Sequence, residues 1–147
     1  MSELTTAMFT EWLRPLITSQ AKVIAGRLPD MPNRVIGVNK GTGPGLAMEG
    51  LFDVVGFTIQ CRGGENNLPD AESIAYEVDN IFIGKHPTAR TENFIIGTGD
   101  DSVYVSQMSR TGSGPAQLSI TDSASRYIFT CSYLMYVSTD VGLVFNG

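Results

Sequence analysis

The sequence predicts a single α+β domain, and three observations carry that prediction. Its 147 residues are enough for one core and too few for two, because a folded chain of this size removes roughly two-thirds of its unfolded surface from water. Two segments, 4–17 and 71–82, repeat apolar residues at the spacing of a helix face. The rest runs in β-branched and aromatic stretches of strand length, separated by glycine clusters at 41–45, 63–64, 97–99, 112–114 and 142–147.

The first helix is read from Leu4, Met8, Trp12 and Leu16, with Phe9, Leu13 and Ile17 one position on, all on one wide apolar side. Pro15 lacks an amide proton and crowds the preceding turn, so the helix should run from about Glu3 to Arg14 and end or kink near Leu13. Two short β-branched runs follow, 22–28 and 34–39, and the turn residues Pro29, Asp30, Pro32 and Asn33 between them suggest a hairpin-like pair. The tract Lys40 to Gly45 is expected to be an exposed loop. Its "NKGTGPG" is not a phosphate-binding loop, since the lysine precedes the glycines and no helix comes after them.

In "LFDVVGFTIQCRGG", Val55, Phe57, Ile59 and Cys61 alternate with Gly56, Thr58, Gln60 and Arg62, the period of a strand with one buried face. The second helix places Ala71, Ile74, Ala75, Val78, Ile81 and Phe82 on one side and Asp70, Glu72, Glu77 and Asp79 on the other. Pro69 and the early carboxylates suit its first turn, and Gly84 with Pro87 stops it. Further strands are read at 94–97, 101–108, "QLSIT" and 126–138, with "SRTGSGPA" as a mobile tip. Both faces of 126–138 carry apolar groups, which places that strand centrally.

Composition excludes several functions. Apolar residues are 42% and charged residues 17%, which excludes disorder driven by charge. No apolar run reaches the roughly 18 residues of a bilayer span, and Met1 to Thr6 carry Glu3 and no basic charge, so neither a membrane span nor a signal peptide is expected. A net charge of -5, with ten basic residues and no three adjacent, is wrong for wrapping nucleic acid. Cys61 and Cys131 each fall in a strand pattern and read as buried thiols of a reducing compartment.

The candidate chemistry is thin. Cys61 needs a base, and His86 is the only histidine, but alternation turns the thiol inward and puts Arg62 on the opposite face. One histidine with two inward cysteines does not make a zinc site, so no metal or other cofactor is expected. Among Glu49, Asp53, Glu65, Asp70, Glu72, Asp100 and Asp101, no spacing selects a catalytic pair. Trp12, Tyr104, Tyr127, Tyr133 and Tyr136 lack the interleaved cations of a base-stacking platform.

The order of elements, with "RLPDMPNRVIGV", "FTIQCRGGEN" before the helix "DAESIAYEVDNIF", and the late strand "FTCSYLMYV", resembles the tail terminator or tail-completion proteins of long-tailed bacteriophages, often called minor capsid proteins. The resemblance spans Leu4 to Val137 and has no catalytic motif to anchor it. It implies a mixed or mostly antiparallel sheet carrying two helices, and assembly into a ring, usually a hexamer. Such a ring sits at the head-proximal end of the virion tail, caps the tail tube protein, stops its polymerisation and offers its other face to the head-tail connector. DNA would pass through its lumen without specific binding. On this reading Arg62, Gly63, Gly64, Glu65 and Asn66, with Lys40 and Arg110, are candidate interface residues. The alternatives are a head-tail adaptor or stopper ring and, from a different class, a small ligand-binding or thiol-dependent enzyme domain.

Overall fold

The computed structural model describes residues 4–48, 52–83, 92–99, 101–118 and 124–138. In chain order the elements are α1 (Thr6–Leu13), β1 (Lys22–Ala25), β2 (Val35–Met48), β3 (Phe52–Glu65), α2 (Leu68–Phe82), β4 (Glu92–Thr98), β5 (Asp101–Gln117) and β6 (Arg126–Ser138). The six strands form one sheet in the order β1-β2-β3-β6-β5-β4. β1 and β2 pair in parallel and the other neighbours antiparallel, so the α+β prediction holds, with two helices on a mostly antiparallel mixed sheet.

The alternation read from 55–61 is the frame of the core. Val55, Phe57, Ile59 and Cys61 all face inward, as do Phe129, Cys131, Tyr133, Met135 and Val137 of the neighbouring β6. Both helices lie on this inner face. Phe9 of α1 stacks on Phe57 at 4.5 Å and tilts against Phe82 of α2 at 5.7 Å, so one aromatic contact joins both helices to the central strand. α1 touches β1 and β4, which are opposite edges of the sheet, so the sheet curls until its two edges approach one helix. Pro15 ends α1 at Leu13 as expected, and a 3-10 turn, Arg14–Leu16, follows.

Three expectations fail. The runs around 22–28 and 34–39 are not a hairpin, because β1 and β2 run in the same direction with Lys22 opposite Val35. A parallel pair cannot be joined by a tight turn, so the chain between them must cross a face of the sheet. The Gly/Pro tract from Lys40 is not a loop but continues β2, and the extra residues are absorbed where the register shifts between Gly41 and Gly45. Nor is "SRTGSGPA" a free tip. It lies within β5, with Thr111 opposite Ser132 and Ala116 opposite Thr130. Between those pairs Gly112 and Gly114 take positive φ of 83° and 124°, which lets the surplus bulge without breaking the ladder.

Gln117 closes β5 and Leu118 donates to the Ile128 carbonyl, while the rest of "QLSIT" lies outside the described residues, as do His86, Gly84 and Pro87. The last strand is central, between β3 and β5.

Candidate functional site

The end of β3 was the place to look for chemistry, and its geometry is structural. Cys61 is buried, and burial pushes its thiol well above the ordinary range, with Cys131 and Glu77 adding to the effect. Cys131, on the same inner face, is also raised by burial. Both are free thiols, held protonated and away from solvent.

Arg62 points to the opposite face, yet it is not in an exposed loop toward a neighbour. It is only 3% exposed and lies within β3. Its guanidinium donates to the carbonyls of Pro32 at 2.7 Å, Asn33 at 3.0 Å and Asp30 at 3.4 Å. Arg126, opening β6, donates to the Asp30 carbonyl, to Asn33 Oδ1 at 3.0 Å and to Asp30 Oδ1 at 3.3 Å. The physical reason lies in the parallel β1–β2 pair. Its crossover, residues 26–34, runs over the outer face and turns carbonyls toward the sheet, where two buried guanidinium groups from the central strands bind them.

The remaining predicted interface residues are also largely committed inside the molecule. Gly63 is buried beneath the start of α2, where an added Cβ would come within 2.5 Å of the Ala71 nitrogen. The Gly64 amide donates to Asp70 Oδ2 at 2.9 Å, and Arg34 reaches the same oxygen at 3.1 Å. Lys40 donates to the Leu4 carbonyl at 3.1 Å. Glu65 and Asn66 keep exposed side chains, but the Asn66 amide donates to the Ser125 carbonyl at 2.9 Å. The seven residues therefore do not form one patch.

The seventh, Arg110, leads to a site that the sequence reading missed. Its guanidinium meets Asp79 Oδ2 at 2.5 Å, and Tyr133 donates its hydroxyl to Asp79 Oδ1 at 2.9 Å. Asp79 was expected on the solvent side of α2, but its side chain is 1% exposed. The signal was present in the spacing: Asp79 lies four residues after Ala75 and three before Phe82, on the buried stripe. Both carboxylate oxygens are occupied, and the Tyr133 ring stacks on Phe82 at 3.8 Å. Burial holds the Tyr133 hydroxyl far above its usual range, as does its neighbour Cys131. The trio ties α2, β5 and β6 together through a buried carboxylate paired on both oxygens.

The surface presents a different character. Among the described residues three large apolar side chains are exposed: Met31 at 65%, Tyr76 at 47% and Ile95 at 44%. Ile95 borders an open groove of about 520 Å³ between α1 and the edge strand β4, lined by Ala7, Met8, Glu11, Trp12, Gly97 and Thr98. Trp12 stacks on Phe94 at 5.3 Å, which fixes its ring as one wall. The groove follows a sheet edge whose backbone has no neighbouring strand among the described residues. The other edge is treated differently: Arg14 donates to the Val23 carbonyl of β1 at 3.0 Å, capping part of it.

No protein-family model matches this chain, and no curated protein matches it. Among the described residues no group of three or more metal-ligating side chains occurs, and no helix is long and apolar enough to cross a membrane. The site with the clearest outward chemistry is the α1–β4 groove, and what it offers is apolar contact.

Proposed function

We propose that this chain is a structural subunit that assembles with copies of itself into a ring, and that the ring caps a phage tail tube, stops its growth and meets the head connector. The observation that carries this reading is the division between inside and outside. The cysteines and the Asp79–Arg110–Tyr133 trio are consumed by the fold, whereas among the described residues the exposed large apolar groups lie on one turn, one helix face and one edge strand. Of these, the α1–β4 groove, where Ile95, Met8 and Trp12 come together, is the place available for burial against another protein. The element order that resembles the tail-terminator family supports the particular assembly, and a net charge of -5 suits a lumen that repels DNA and lets it slide.

The test has two stages. Light scattering behind size exclusion, with negative-stain imaging, should find rings with an open centre. Purified tube subunit mixed with the protein should then polymerise to shorter, capped tubes. Rings that leave tube length unchanged while binding a connector would move the protein to an adaptor ring, and a monomer that acts on neither would end the proposal.

A further inference from the structure

The segment from Leu4 to Ser19 is a separable arm. It supplies α1 and the 3-10 turn after it but no strand, so none of the strand pairings depends on it. Its hold on the rest of the fold is through stacked rings and single hydrogen bonds. Phe9 stacks on Phe57 and Trp12 on Phe94, Thr18 donates twice to Glu77 Oε2, and Lys40 and Arg34 donate to the Leu4 and Ser19 carbonyls. The open groove beside α1 leaves one flank of the helix uncovered, so the arm can leave or enter its seat sideways.

The arm joins β1 through Gln20 and Ala21. Gln20 has a φ of 68°, in the left-handed region where a side chain crowds the following carbonyl. Folding the arm back onto its own sheet therefore stores strain in one exposed residue, and an extended conformation there releases it. Short hinges under strain favour exchange of the element they carry, because a seat that fits its own arm fits the identical arm of another copy equally well.

We propose that copies of this chain assemble by exchanging this arm: Gln20 opens to an extended conformation, and the arm of one copy sets its Phe9 on Phe57 and its Thr18 on Glu77 of the next. The inference rests on the reading of the chain as a self-assembling subunit and names its contact. With the two hinge residues extended, Ser19 and Lys22 are at most about 10 Å apart, three steps of a strand, so the exchanging copies meet at the start of β1. An arm passed onward from copy to copy closes a ring, whereas an arm passed back closes a pair.

The experiment changes the hinge of the full chain in two directions, with far-UV circular dichroism to confirm the fold of each variant. Gln20→Gly accepts the left-handed conformation without steric cost, so it should favour the closed monomer and weaken association about five-fold or more in sedimentation equilibrium. Gln20→Pro is barred from that φ and should strengthen association by at least as much. The exchange itself is read with Ala7→Cys and Thr98→Cys in one chain, positions that face each other across the groove, treated with a short bis-maleimide while the native thiols stay buried. Cross-links between chains, seen as ladders on a denaturing gel, are expected. An oligomer that cross-links only within chains, or hinge variants with unchanged association, would overturn the exchange and leave the ring reading in place. Exchanged pairs that never close a ring would keep the exchange and remove the ring reading, and a wild type that stays monomeric at the highest attainable concentration would overturn both.

Discussion

Replacing Asp79 by alanine would strand the Arg110 guanidinium beside an emptied site and leave the Tyr133 hydroxyl without its acceptor. Breaking a buried charge pair costs about 3–5 kcal/mol, and with Arg110 26% exposed Asp79→Ala should lose about 3 kcal/mol, the lower end of that range, in urea denaturation. The cysteines give the second expectation at this scale. With both thiols buried and held protonated, a mild thiol reagent should label neither in the native protein and both once it is denatured; rapid native labelling of Cys61 would reopen the thiol-enzyme reading. Cys61 was legible because period-two alternation fixes direction along a strand. Asp79 was misread although its spacing put it on the buried stripe, and the burial of Arg62 left no local signal, because a charged side chain reads as solvated until a partner far along the chain is known to meet it.

At the scale of elements, the junction between β3 and α2 explains why "CRGGEN" looks like a catalytic turn. Gly63 lets the helix approach, Gly64 hands its amide to Asp70, and Asn67 caps α2 by accepting from the Asp70 nitrogen at 3.0 Å. Gly63→Ala forces its new methyl into the α2 backbone, so we expect a loss of about 1–3 kcal/mol, read as a lower thermal midpoint with unchanged secondary structure. Helix positions were legible because propensity, capping and periodicity agreed in 68–82. The glycine tracts at 41–45 and 112–114 were misread for the opposite reason. Composition announces a break, but a register shift keeps such a tract inside its strand, helped at 112–114 by two positive-φ glycines, and only the partner strand reveals it.

At the scale of the whole molecule, strand order was the least legible feature. Nothing local in 22–39 distinguishes a hairpin from a parallel pair, since the difference lies in where the crossover finds its hydrogen-bond donors. One long-range contact also gives the fold a pH response. Burial alone would raise the Glu77 carboxyl, but the polar groups of the Thr18–Ser19 segment outweigh it and hold the group below its ordinary value; the Thr18 amide and hydroxyl donate to Oε2 at 2.9 and 2.7 Å. A depressed carboxyl contributes stability above its unfolded-state pKa and loses it as pH falls through the folded one. Glu77→Gln should therefore be less stable than wild type at neutral pH, and thermal melts should show the gap narrowing below the ordinary carboxylate range. Finally, β3 has β6 as its partner, and Arg126 reaches back to Asp30. A ribosome making this protein must therefore translate through Ser138 before the middle of the sheet can close, so the nascent chain emerges with β3 as a raw edge and depends on late synthesis to cover it.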